Sequence, residues 1–226
     1  MTPLQTSTAD ALRRRALSLE YLTIGWNVIE AVVAVAAGVA AGSIALVAFG
    51  FDSSIEVFAA STVVWQYRGE LRGDVDEDRE RRALKLIAVT FFVLAAYVSV
   101  EAIRDVIVDE KADASPVGII LACVSLAVMP TLVWLKRGTG RALNSATLIA
   151  DSAETFLCAS LSAVLLIGLV LNATIGWWWA DPLAALGIAF LALREGIEAW
   201  RGECGDDDPG HGDLHSTMNL RKETTS

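Results

Sequence analysis

This chain has little of what several common protein classes require. Three cysteines, Cys123, Cys158 and Cys204, give no disulfide framework, and the first two fall inside apolar runs. No Gly-rich phosphate loop of the Walker type occurs, which argues against ATP drive within the chain. With 18 Lys and Arg against 27 Asp and Glu, the net charge of -9 does not suggest nucleic-acid binding. The triplet Arg13-Arg14-Arg15 precedes a long apolar stretch, but the shorter core and small-residue cleavage site of a signal peptide are missing, so this reads as an uncleaved first span. The apolar run over residues 43–65 has no Lys or Arg to set against its two acids, Asp52 and Glu56.

What is abundant is apolar surface. The chain is 54% hydrophobic, and these residues come in long blocks, the pattern of membrane spans rather than of one soluble core. The blocks predict an all-α membrane protein with six transmembrane helices over residues 19–39, 44–66, 84–108, 116–135, 145–171 and 177–200. Pro130 is the expected kink of the fourth span. Residues 1–18 form an N-terminal polar segment, residues 136–144 a basic loop, and residues 201–226 a polar tail of disordered composition. In a six-span arrangement nearly all Lys and Arg fall on one side and only Arg104 and Lys111 on the other, so both termini are expected to be cytoplasmic. Trp65, Trp134 and Trp200 mark the cytoplasmic ends and Trp177-Trp178-Trp179 an outer end.

The acids inside the spans carry the chemistry. Asp52 and Glu56, four apart, share a helix face. An ionised carboxylate at the bilayer centre costs about 2.5–3.5 kcal/mol on insertion scales, so a cation, a proton or a basic partner must offset it. Asp151, Glu154 and Cys158 share a face of the fifth span by their i, i+3, i+7 spacing. Counted from their own ends, the two faces lie roughly 12–18 Å and 9–20 Å deep at the helical rise, both near the middle of a core roughly 30 Å thick. The spans show no basic partner at that depth, and two facing acidic surfaces repel unless a cation or protons lie between them. Carboxylates with a thiolate suit divalent first-row metals and tilt the set toward Zn²⁺ or a softer ion; a lone cysteine such as Cys158 is more often a small packing residue, and its place four after Glu154 brings the two readings level. Asn27 and Glu30 share a face of the first span, as an accessory or proton site or as a pair with a polar neighbour. Glu101 and Arg104 are spaced to pair with each other. In the tail, Cys204, His211 and His215 are metal-competent, against the commoner reading of a solvated acidic segment.

Three segments resemble the cation diffusion facilitator family. Gly42-Ser43-Ile44-Ala45-Leu46-Val47-Ala48 leading into Asp52-Ser53-Ser54-Ile55-Glu56 is similar to the family's first-to-second-span signature. Ala150-Asp151-Ser152-Ala153-Glu154 through Cys158 resembles its fifth-span motif, and Trp179-Ala180-Asp181-Pro182 with Ala184-Ala185 the opening of its sixth span. The resemblance implies a six-span, homodimeric exporter of divalent metal from the cytoplasm, driven by proton exchange by alternating access, with no enzymatic step. It places the metal site between the second and fifth spans, with Asp52 and Glu56 in the second-helix ligand positions. Glu154 falls where His or Asp is usual and Cys158 where Asp is usual, which leaves open the choice among Zn²⁺, Fe²⁺, Mn²⁺, Co²⁺ and Cd²⁺. The chain resembles the branch without a C-terminal metal-sensing domain, and its Ala/Arg-rich composition suits a bacterial cytoplasmic membrane. Two rivals remain: a membrane metal-binding subunit that does not transport, and a monovalent cation/proton exchanger.

Overall fold

The structure, a computed structural model, describes residues 3–41, 44–72, 77–108, 116–175 and 180–202. These form six helices: α1 (Pro3–Ala41), α2 (Ile44–Glu70), α3 (Glu77–Val108), α4 (Pro116–Leu143), α5 (Ala146–Ile175) and α6 (Ala180–Arg201). Among the described residues there is no strand, and five helices, α1 to α5, are long and apolar enough to cross a membrane. The all-α bundle expected from the hydrophobic blocks is the observed fold. Cys204, His211 and His215, and the tryptophans at 177–179, lie outside the described residues.

Three element boundaries differ most from the sequence expectation, one of them that of α3, which starts at Glu77 and not at residue 84. Helix α1 starts at Pro3, so most of the polar N-terminal segment is helical. Arg13 holds it in place: its Nε donates to Glu70 Oε2 on α2 at 2.8 Å, and Nη1 reaches Asp10 Oδ1 at 3.3 Å. Helix α4 runs on through Leu143, so the expected basic loop at 136–144 is mostly helix. It ends in a Schellman arrangement, with Ser145 N donating to Gly140 O at 3.0 Å and Asn144 N to Arg141 O at 3.2 Å. Asn144 supplies the left-handed residue this requires (φ 52°). Ser145 then caps α5 by accepting from Leu148 N at 3.4 Å. The turn therefore consumes only two residues, and α5 lies tightly antiparallel to α4.

Packing proceeds largely in helix pairs: α1 packs most extensively on α2, α3 on α6 and α4 on α5. A glycine marks each contact. A Cβ at Gly50 would fall 2.6 Å from Val35 Cγ2 and 3.0 Å from the Ala31 carbonyl oxygen on α1. One at Gly140 would fall 3.1 Å from Ile149 Cγ1 on α5, and one at Gly196 2.8 Å from Phe92 on α3. Small residues let membrane helices approach closely where apolar side chains gain little from leaving lipid. Gly50→Ala is expected to destabilise the protein by about 1–3 kcal/mol, because a stiff valine and a backbone carbonyl must both yield; thermal unfolding in detergent reads this directly.

The inner faces join through Val63 and Tyr67 of α2, Ile87 and Phe91 of α3, Leu148 and Leu157 of α5, and Ala192 of α6. Ile29, Val32, Phe51, Phe58, Ile107 and Phe190 point outward and are more than half exposed, as residues facing hydrocarbon should be. Three cations cover aromatic rings at one end of the bundle: Arg68 on Tyr21 at 5.5 Å, Arg79 on Trp65 at 4.7 Å and Lys85 on Trp200 at 5.7 Å. Glu101 and Arg104 approach to 3.8 Å, as their spacing predicts.

Candidate metal site

The bundle centre is lined by buried acids from three helices. From α2 come Asp52 and Glu56, from α5 Asp151 and Glu154, and from α1 Glu20 and Glu30, none more than 4% exposed. Helical periodicity puts them there. On α1, Ala16, Glu20, Thr23, Asn27, Glu30 and Ala34 form one buried stripe with steps of three or four residues. On α5, Asp151, Glu154, Thr155 and Cys158 form another.

The five residues expected to form one metal site are divided by the structure. Cys158, Asp52 and Glu56 lie near one another, the thiol neighbouring both carboxylates. Asp52 Oδ1 and both Glu56 oxygens are buried without a well-formed hydrogen bond. Glu154 turns toward α3, where Thr90 Oγ1 lies 2.8 Å from its Oε2 and 2.6 Å from the Ile87 carbonyl. One hydroxyl hydrogen serves one of these two acceptors, and both contacts are satisfied when the Glu154 carboxyl carries a proton. Thr90 also borders an apolar crevice of 630 Å³ between α2 and α3, walled by Phe51, Phe58, Val93 and Tyr97.

Asp151 has a different partner. The expectation that no basic group faces these acids is corrected by Lys136 of α4, which is completely buried. Its Nζ donates to Asp151 Oδ2 at 2.6 Å and to Thr155 Oγ1 at 3.2 Å, and lies 3.0 Å from Glu20 Oε2. Thr155 in turn neighbours Glu56, so the lysine cluster and the Asp52–Glu56 pair are contiguous. Sequence reasoning missed both Lys136 and Glu20. Beside Arg137 and Arg141 the lysine reads as part of a basic loop, yet those two are exposed while Lys136 continues the buried face of Ser125, Met129 and Leu132. That face was readable by carrying the helical period past residue 135.

Ser53 Oγ donates to Glu30 Oε2 on α1 at 3.0 Å, and Asn27 Nδ2 donates to the Thr23 carbonyl at 3.0 Å. Asn27 Oδ1 and Glu30 Oε1 remain buried without partners. The second free thiol among the described residues, Cys123, is exposed on α4. Among the described residues, no three His, Cys, Asp or Glu side chains converge closely enough in this conformation to hold one metal ion. What the centre offers is several carboxylate oxygens without hydrogen bonds beside one thiol, in apolar surroundings where such oxygens are costly unless a proton or cation meets them.

Sequence comparison gives the class. Residues 85–201 match the family described as the cation efflux transmembrane domain, and the chain belongs to that family. It is a multi-pass integral membrane protein. Among its curated relatives are an uncharacterized transporter of Synechocystis, 32% identical over 110 residues, 49% of this chain and 36% of that protein. The magnetosome protein MamB of Magnetospira is 29% identical over 169 residues, covering 71% of this chain and 57% of the relative. The cation-efflux pump FieF of Klebsiella pneumoniae is 27% identical over 169 residues, covering 70% of this chain and 56% of the pump. The chain thus spans between about a third and three-fifths of the length of these relatives.

Proposed function

We propose that the protein exports a divalent metal ion, Zn²⁺ first among the candidates, from the cytoplasm in exchange for protons. The reading is carried by one observation: buried carboxylates of α2 without hydrogen bonds meet the Cys158 thiol of α5 in the middle of the bundle. Family membership and the likeness to FieF, a cation-efflux pump, support it. Asp52, Glu56, Glu154 and Cys158 are the proposed ligand set, two residues from each of two helices. Asp151, whose Oδ2 is already held by Lys136, becomes a supporting residue instead.

The chemistry follows from the donor types. Carboxylate and thiolate bind metal only when deprotonated, so metal admission releases protons and proton return displaces metal. Glu154, parked on Thr90 in a contact that suits a protonated carboxyl, is the ligand that must swing toward Asp52 and Glu56 as the ion arrives. Thiolate and carboxylate together favour zinc over the hard cations magnesium and calcium. The alternating-access step is a relative movement of helix pairs, and the expected assembly is a homodimer.

Uptake into proteoliposomes under an imposed pH gradient tests the proposal, with Zn²⁺, Fe²⁺, Mn²⁺, Co²⁺ and Cd²⁺ offered separately to wild type and Glu154→Ala. Zinc movement that stops when the gradient is collapsed, and is lost in Glu154→Ala, is the expected result. Metal binding without flux would instead mark a non-transporting subunit, and flux of Na⁺ or K⁺ alone a monovalent exchanger.

A further inference from the structure

The Glu20–Lys136–Asp151 cluster is a large outlay for a stability device. Breaking a buried ion cluster is costly, but replacing one whole with apolar groups is often neutral or stabilising. Its position suggests another use. Asp151 lies six residues into α5 from the Ser145 cap, and Glu154 and Cys158 lie three and seven residues deeper. At the helical rise this puts the cluster roughly 4–11 Å from those ligand positions, toward the α4–α5 turn. It sits between that end of the bundle and the site.

It also joins two units. Helices α1 and α2 are tied by Arg13–Glu70, by Ser53–Glu30 and by the close approach at Gly50. Helices α4 and α5 are tied by their two-residue turn, by Gly140 against Ile149 and by Lys136–Asp151 itself. The contact of Lys136 with Glu20 crosses from one unit to the other. The ammonium donates to two acceptors on α5 and is ion-paired with one carboxylate on α1, so releasing Glu20 leaves it paired with Asp151 and Thr155. A lysine with a single carboxylate partner would be stranded by the same movement. Here the α1–α2 unit can part from α4–α5 without leaving a bare ammonium in the bilayer, and Glu20 meets the water that follows.

We propose that Glu20 and Lys136 form the gate on the α4–α5-turn side of the transport site, closed in this conformation and opened by separating α1–α2 from α4–α5. This rests on the transport reading above, but its test does not require transport. Cys158 lies behind the gate and reports on it, once Cys123 and Cys204 are replaced by serine. In vesicles, a membrane-impermeant thiol reagent applied on the turn side should modify Cys158 slowly in the parent. Glu20→Gln, which leaves Lys136–Asp151 intact, should raise the rate about tenfold, the population shift expected from losing one buried ion pair between the two units. Glu20→Asp, which keeps the charge on a shorter arm, should give a smaller rise and serves if Glu20→Gln does not fold. Ala88→Cys, buried in α3 and not part of the ion cluster, reports general loosening in a background that also carries Cys158→Ser. An equal rise there, or no rise at Cys158 in a folded variant, overturns the gate. Zinc protection of Cys158 is a separate readout: if zinc fails to protect while Glu20→Gln still speeds labelling, the ligand assignment falls and the gate stands.

Discussion

Lys136→Ala is expected to lose about 3–5 kcal/mol of stability, enough to keep most of the protein from folding. The side chain has no exposed surface, and among the described residues its ammonium is the one positive group beside Glu20, Asp151 and the neighbouring Glu56. Deleting it leaves buried carboxylates facing each other. Either they take up protons or the helices part, and both outcomes are read as a lower unfolding temperature in detergent. The charge origin is separable from packing. Lys136→Met with Glu20→Gln and Asp151→Asn removes every charge of the cluster at nearly constant volume, and should recover most of the lost stability. If the triple variant is no better than Lys136→Ala, the loss belongs to packing of the lysine stem. Lys136→Arg should not rescue fully, since a larger planar head must enter a filled space.

The triple variant also separates folding from function. It should fold yet pass metal poorly, because the gate and the field around Glu56 are both gone. A lysine held only for stability would leave transport intact in the rescued protein.

Much of this arrangement was legible in the sequence, and the reasons it was differ from element to element. The helices are long apolar blocks, and block length alone identifies them. The acid faces of α2 and α5 follow from i, i+3 and i+4 spacing, which holds in any helix. Lys136 was hidden by its neighbours: a basic residue beside Arg137 reads as a loop, and only helical phase assigns one inward and the other outward. Glu20 was hidden by its place near the start of the first apolar block, although its spacing from Thr23, Asn27 and Glu30 marks the stripe. The Thr90–Glu154 contact had no local signal. It depends on how α3 packs against α5, and residues 64 positions apart carry no periodicity in common. The same limit applies to two identical dipeptides, Asp52-Ser53 and Asp151-Ser152: one aspartate meets a thiol and the other an ammonium.

That difference between the two aspartates gives the second large effect. Asp52→Asn should weaken Zn²⁺ binding by more than about 100-fold, whereas Asp151→Asn should weaken it by about tenfold at most, the lower end of what an outer-shell partner contributes. The first change removes a charged donor beside Glu56 and Cys158, at a position whose Oδ1 has no hydrogen bond to lose. The second removes a carboxylate whose Oδ2 is already occupied at 2.6 Å by Lys136. Stability should move the opposite way. Asp52→Asn relieves repulsion with Glu56 and should leave the unfolding temperature unchanged or raised, while Asp151→Asn strips the lysine of its shortest contact and should lower it. Titration calorimetry and thermal unfolding on the same two purified variants measure both. If Asp151→Asn abolishes binding as thoroughly as Asp52→Asn, then Asp151 is a ligand, and Lys136 must release it each time the metal enters. In that case the lysine would stand in for the metal during the empty half of the cycle, and the gate and the site would be one device rather than two.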